Sequence, residues 1–582
     1  MILENKQISD DSKINGMNII VVNILLAIVG GVSLTCMRGI VYLYDCQLGY
    51  FLYGLGLYDP NFIPLDWQTW KAFQHHIAFG YLLLVLQKIG SLYVMTIISQ
   101  IVIMTLFSYG LLTISRRFLK YPVHAYFAVV IFIGLARPVE MSLGGQPFIM
   151  GYLMPSEIAA TLMIFGLAFL FEGRYFLAGT ILGLAGLFHA QFLASFAPAI
   201  LITAYAKDFW RDRHDLFSFL LPLALLWGIL TIYVGYCLIN SPPPTARIMR
   251  ILTDFRAPLD NTISLWDRKD TLVWLLWIGT GSLAMYMLPR ESKYRELRLC
   301  FITAIVTCLV GVAQAAFVKI PSITIMQLWR VAPLVMILSL LVIVDNALRV
   351  SLSPEEESKK KSIYIASLFI AGIVLVNISF IRSSPRGLLW MISIPLSLLA
   401  GAMVTRLTKG LISYSKAILA SFLVIMIVIM GWSSYRGLMI GSHNHFLHPI
   451  PVSLGNMEKW VRENTPVNSI FVIPPDLEYM RIRARRAVVV DWKTAPVFAS
   501  DMEEWYRRIC DISDMPPNAP TYALLENGYR HLDKERAKML RSRYGATFVV
   551  VKSKEHVGNL SGLMERFNNG DYKVLEIPSS NN

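Results

Sequence analysis

The sequence predicts an α-helical polytopic membrane protein with about thirteen transmembrane helices, followed by a C-terminal soluble α/β domain. Three observations carry that expectation. Hydrophobic residues fill 55% of the 582 positions and charged residues only 16%, against about a quarter charged in a soluble domain, and the mean hydropathy is +0.52. Apolar runs near the ~20 residues that cross a bilayer recur along most of the chain. After Gly431-Trp432 those runs shorten to strand length and charges become frequent, which separates a transmembrane domain over 1–435 from a soluble domain over 436–582.

The runs lie at 18–42, 91–114, 122–136, 155–171, 175–188, 190–206, 217–240, 270–288, 298–318, 329–348, 362–381, 387–405 and 417–434. Two of them, 175–188 and 190–206, are short and split by Phe188-His189-Ala190-Gln191, which also permits a re-entrant hairpin. Non-helical backbone at membrane depth requires surrounding protein or a water-filled cavity. Lys and Arg cluster at Arg116-Arg117, Lys207 to Arg213, Arg290 to Arg298, Lys359 to Lys361 and Arg406 to Lys416, all on one side of the alternation. By the positive-inside bias that side is cytoplasmic. The N-terminus then lies inside, and 44–77, 137–154, the His189 turn, 241–269 and everything beyond Trp432 lie outside. Segment one lacks a small-residue cleavage site and reads as a retained anchor.

Within the C-terminal domain, Leu454 to Asn464 is amphipathic at helical spacing. Strands are expected at 469–474, 487–491, 546–551 and 572–577, with further helices at 502–508 and 532–543. Helices alternating with short β-branched strands predict an α/β sandwich. The run Arg481, Arg483, Arg485, Arg486 raises the question of a bound anion, against the alternative of a solvated or interdomain face. An outward-facing domain is a poor candidate for nucleic acid. The net charge of +14 is mostly topology signal. The six cysteines show no metal or disulfide spacing.

Chemistry concentrates on the outer side. The segment after helix one carries Asp45, Asp59 and Asp66, the pair His75-His76, and several aromatics. Acids beside a bilayer are costly unless solvated, paired or metal-bound. A carboxylate here can take the proton of an acceptor hydroxyl as a bond to a departing phosphate breaks, and a neighbouring aromatic can stack on a sugar. The alternative is an interfacial belt of Trp67 and Trp70 with wet acids. His189 and Gln191 sit at the tip of the short hairpin, and Arg137 and Glu157 add polar groups to the same face. Glu157 also suits a helix N-terminus on electrostatic grounds alone. Arg256 and Arg330 stand on the outer side against the usual bias, and guanidinium forks match phosphate oxygens in pairs. Attraction to anionic headgroups is the competing explanation.

A cytoplasmic N-terminus, about thirteen crossings, acids after helix one and an outer α/β domain together resemble the C-type glycosyltransferases. These membrane enzymes transfer sugars from polyprenyl-phosphate or polyprenyl-pyrophosphate carriers. The motifs Tyr58-Asp59-Pro60, Gly183 to Gln191, Phe255-Arg256-Ala257-Pro258 and Asn464-Thr465-Pro466 look like an uncharacterised bacterial group with an outer C-terminal domain. The resemblance implies Asp59 or Asp45 as the base, Asp66 as a second acid, and His75, His76, Arg137, Glu157, His189, Gln191, Arg256 and Arg330 as substrate-binding residues. It implies a bacterial inner membrane, a polyprenyl-linked sugar donor, and a glycan, lipid or protein acceptor. If a divalent cation (Mg or Mn) serves, Asp45, Asp59 and Asp66 are its candidate ligands. Other expectations are a polysaccharide polymerase or ligase, which uses arginines and a histidine, a noncatalytic membrane protein, and a transporter. Asp345 is the transporter's one intramembrane acid.

Overall fold

A computed structural model describes residues 2–43, 46–71, 76–135, 143, 148–207, 212–240, 245–256, 262–266, 268–318, 320–351, 414–440, 451–496, 498–515 and 522–578. The apolar runs 362–381 and 387–405 lie outside the described residues, as do Asp45, His75 and Arg137.

The protein is a multi-pass α-helical membrane protein. Among the described residues, seven helices are long and apolar enough to cross a bilayer: Ile19–Arg38, Leu92–Phe118, Pro155–Glu172, Arg213–Cys237, Ser292–Val318, Leu328–Arg349 and Lys416–Met439. Ile77–Ile89, Pro122–Leu135, Tyr175–Phe188, Ala190–Ala206 and Thr271–Met287 are apolar but shorter. Each apolar run that falls on described residues is helical. Helix Ile77–Ile89 has no counterpart among the expected runs, because it spans only 13 residues and a search near ~20 passes over it. Within the expected outer loop 44–77, the helix Gln47–Tyr58 takes the place of part of the loop.

The chain divides into two compact units. The first joins Met1–Ile40, Ile97–Trp227 and Ile263–Asn444; the second joins Val41–Thr96, Gly228–Thr262 and His445–Asn582. In the first, the helix Ala332–Ser351 lies at the core, buried along nearly its whole length. Its Asp345 carboxylate accepts the Lys120 and Tyr121 backbone N–H groups at 2.8 and 2.7 Å, just ahead of helix Pro122–Leu135, and pairs with Arg349 at 2.6 Å. Those partners give Asp345 a helix-capping and pairing role. The one acid held out for a transporter therefore has a structural account.

The second unit contains a five-stranded sheet with β1 Ile470–Val472, β2 Ala487–Val488, β3 Phe548–Lys552, β4 Met564–Asn568 and β5 Tyr572–Glu576. The order is β2-β1-β3-β5-β4, with β1 parallel to β2 and β3, and β5 antiparallel to β3 and β4. Period-two alternation sends Phe471, Ile473, Phe548, Val550 and Val574 to one face, where helix Val452–Asn464 covers them through Leu454, Met457 and Val461. Val472, Val549, Val551 and Leu575 point to the other face, covered by helices Ala499–Ser513, Tyr522–Arg530 and Lys534–Tyr544. This is the expected α/β sandwich. The same second core takes in Ile248, Ile251 and Phe255 from the 245–256 segment, and Trp67 packs on it. The segments after helix one and near 250, which the charge pattern puts on the same side as the C-terminal region, thus fold together with it.

Candidate functional site

In the first unit the chain builds a polar and aromatic cluster at helix ends. Helix Tyr175–Phe188 stops at His189, whose extended backbone (φ −155°) separates it from helix Ala190–Ala206. The imidazole is buried and meets the Phe192 ring edge-on at 5.1 Å. On the same ring lies the Arg330 guanidinium, 5.5 Å from its centroid. Arg330 Nε donates to Gln327 Oε1 at 2.6 Å, and Gln327 itself sits in the left-handed region at φ +48°. Two residues picked out separately in the sequence are therefore brought together by an aromatic that was not. Gln191 is half-buried in the first turn of helix Ala190–Ala206.

Glu157 belongs to the same assembly through Phe148. Phe148 packs on Phe192 and Phe196 at 6.1 and 6.4 Å, and the following backbone donates from Met150 and Gly151 to the buried Glu157 carboxylate at 2.8 and 2.9 Å. Gly151 adopts φ +87°, and a Cβ there would come within 2.4 Å of Arg38 Cβ, so glycine is needed both for conformation and for room. Arg38, at the end of helix one, donates to Ile133 O at 2.6 Å. The sequence reading missed Arg38. Its signal is a base at the end of an apolar helix, on the side that the charge pattern leaves poor in Lys and Arg.

In the second unit the acids divide. Asp59 caps helix Gln47–Tyr58 and is half-buried; its Oδ1 accepts the Asn61 N–H at 3.0 Å, and Oδ2 has no partner among the described residues. Asp66 is committed elsewhere. Its Oδ1 takes the Thr69 N–H and hydroxyl at 2.8 and 3.0 Å, while Oδ2 takes Arg481 Nε at 2.8 Å and the Val488 N–H at 3.0 Å. Arg481 also pairs with Asp491 and bonds Gln68 Oε1 and Thr494 Oγ1. Burial acts against the Arg481 charge, and the Asp491 and Asp66 carboxylates more than offset it, holding the guanidinium above its ordinary pKa. Both Asp66 oxygens are thus taken up by Thr69, Arg481 and Val488. Among the described residues no three His, Cys, Asp or Glu side chains converge as a metal site.

Arg256 also departs from expectation. Its guanidinium lies over Trp492, 5.6 Å from the centroid, and donates to Lys493 O at 3.0 Å, while Phe255 packs on Trp492 at 5.1 Å. The fork is used to seat the 245–256 segment on the C-terminal domain. His76 is buried edge-on against Tyr50 at 5.2 Å, at the start of helix Ile77–Ile89.

A family model described as a domain of unknown function (DUF6798) matches residues 453–512, from the helix before β1 to the helix after β2. No curated protein matches the chain. Among solved structures, ArnT from Cupriavidus metallidurans bound to undecaprenyl phosphate is similar at 13% identity and a TM-score of 0.46, over 97% of this chain and 98% of that one. Its apo state gives 13% and 0.45, over 97% and 99%. The arabinofuranosyltransferase AftD from Mycobacteria gives 10% and 0.44, over 96% of this chain and 40% of that one. At these TM-scores neither likeness decides the fold or the chemistry.

Proposed function

We propose that this protein is a lipid-linked sugar transferase. It moves a glycosyl group from a polyprenyl-phosphate or polyprenyl-pyrophosphate donor, on the outer face of a bacterial inner membrane, during cell-envelope glycan or glycoprotein assembly. The observation that carries the reading is the pairing of His189 and Arg330 on one Phe192 ring. A guanidinium and an imidazole held against one aromatic ring suit the charge of a departing lipid phosphate. The acceptor hydroxyl attacks the anomeric carbon, the carbon–oxygen bond to the donor phosphate breaks, and the lipid phosphate or pyrophosphate leaves with the bonding pair. Asp59, whose Oδ2 has no partner among the described residues, takes the hydroxyl proton; Asp45 is the alternative base. The resemblance of the sequence to C-type glycosyltransferases supports the same assignment.

A polymerase or ligase acting on a polyprenyl-pyrophosphate glycan is the second reading. It is favoured by the withdrawal of Asp66 into an ion pair, which leaves a histidine and an arginine as the gathered groups. One experiment separates the two. Purified protein in lipid is offered a panel of radiolabelled polyprenyl-phosphate and polyprenyl-pyrophosphate sugars, beside Asp59→Asn, Asp45→Asn and Arg330→Ala. Donor consumption abolished by Asp59→Asn or Asp45→Asn in folded protein supports the transferase. Loss only with Arg330→Ala supports the polymerase, and consumption of no donor by the unmodified protein removes both.

A further inference from the structure

The sheet of the C-terminal domain opens a cleft. β1 stands between β2 and β3 and is parallel to both. From the carboxyl end of β1 the chain turns through helix Met480–Arg483 to β2 on one side. From the carboxyl end of β3 it runs to β4, beyond β5 on the other side. Adjacent parallel strands whose continuations part in this way leave a crevice at their carboxyl ends, the usual place for a ligand in an open α/β sheet. A cleft of about 270 Å³, open to solvent, lies there. Pro474, Pro475 and Asp476 wall it after β1, Lys552 and Glu555 at the end of β3, and helix Tyr522–Arg530 along a third side.

Hydrogen bonds fix these walls. Tyr529 Oη donates to Val550 O at 2.7 Å, the Val557 N–H to Arg530 O at 2.9 Å, and the Trp492 N–H to Pro475 O at 3.1 Å. Charges of alternating sign line the cleft. Lys552 lies 2.6 Å from Asp476 and 3.8 Å from Glu555, and Arg530 lies 3.3 Å from Glu555 and 3.0 Å from Glu526. These pairs engage Asp476 Oδ2, Glu555 Oε2 and Glu526 Oε1, whereas a carboxylate can accept about four hydrogen bonds. Burial holds His556, also in the cleft, below the ordinary histidine pKa, so it adds no charge at neutral pH. Three carboxylates then face two cations.

That arrangement selects among ligands. A phosphate or other anion meets the carboxylate excess, and a cation meets Lys552 and Arg530 between the acids. A neutral polyol meets neither penalty. Its hydroxyls donate to the carboxylates and accept from the ammonium and guanidinium, and the two proline rings offer an apolar face. Sites for drug-sized molecules begin near ~300 Å³, so this smaller cleft suits a single ring.

We propose that the cleft at the carboxyl ends of β1 and β3 binds one neutral sugar residue of a glycan. The inference concerns binding alone and does not rest on the transfer reading. The test places the full chain in phosphatidylcholine nanodiscs, free of glycoside detergent, and follows binding of galactose, N-acetylglucosamine, glucosamine and glucuronate by saturation-transfer NMR titration. A neutral sugar should bind, and Asp476→Ala and Glu526→Ala should each weaken it about tenfold, the worth of one charge-assisted hydrogen bond. Both ion pairs are solvent-exposed, so the two variants should keep the parent melting temperature. Glu535→Ala, which removes an exposed acid outside the cleft, should leave affinity unchanged. The proposal is overturned by binding of neither neutral sugar, by neutral-sugar affinity that both cleft variants retain, or by tighter binding of glucuronate or glucosamine. None of these results bears on donor consumption, so the transfer reading is decided separately.

Discussion

Asp66 Oδ2 and Arg481 Nε meet at 2.8 Å although 415 positions separate them, and both side chains are at most 1% exposed. Every oxygen of Asp66 and each nitrogen of the Arg481 fork has a partner, so desolvation of the charges is matched by hydrogen bonds. Such a pair is not worth more than a well-packed apolar one, but losing one member strands the other in a low dielectric. The pair is therefore a clasp between the segment after helix one and the C-terminal domain.

Removing one side of the clasp should be costly. Arg481→Met leaves Asp66 and Asp491 facing each other without a cation, and about 3–5 kcal/mol of stability should be lost. Denaturant unfolding followed by tryptophan fluorescence reads this directly, because Trp505 Nε1 donates to Asp491 O at 2.9 Å in the same network. A midpoint unchanged from the parent would mean that the network is dispensable.

Glu458 gives the C-terminal domain a pH dependence. Burial raises its pKa to about 7, and Arg483 offsets this only in part. The folded value lies above the ordinary 4.5, so the folded state holds the proton more tightly. The stability contribution is then complete below 4.5 and is lost as the pH rises through 7, by at most on the order of 3 kcal/mol. Urea unfolding between pH 4.5 and 8 should show declining stability in the parent and a flatter profile in Glu458→Gln. Parallel profiles would show that Glu458 does not titrate in this window.

The Phe192 cluster predicts a different kind of loss. If His189 and Arg330 hold the donor phosphate, His189→Ala and Arg330→Ala should each lower kcat/KM for transfer by about 10- to 100-fold. Because both rest on one ring, the double variant should lose less than the product of the two. Full multiplicative loss would indicate that they act at separate places.

What could be read from the sequence follows from which forces are local. The strands at β1, β2, β3 and β5 announce themselves as short apolar runs rich in β-branched residues, whereas β4 (Met564–Asn568) is an almost wholly exposed edge with no such run to find. The break at His189 was legible because glycines and a polar residue interrupt an apolar run. The partners of Asp66 and Arg256 were out of reach for one shared reason. An acid or a guanidinium in an outer loop looks the same whether it meets a substrate or a side chain hundreds of positions away, and only the fold supplies Arg481 or Trp492.

Arg256 offers the sharpest division between holding the structure and binding the donor. Its guanidinium stacks on Trp492 and bonds Lys493 O, while Phe255 beside it packs on Trp492, Trp505 and Tyr506. Arg256→Gln keeps much of the stem but loses the stacked charge, worth about 0.5–2 kcal/mol. The expected outcome is a modest drop in melting temperature and faster limited proteolysis of the 245–256 segment, with KM for the donor unchanged. Arg256→Lys should recover little, because an ammonium cannot reproduce a planar fork that stacks and donates at once. A large rise in donor KM without loss of stability would instead return Arg256 to the phosphate site, and would require the stacked arrangement to open when donor binds.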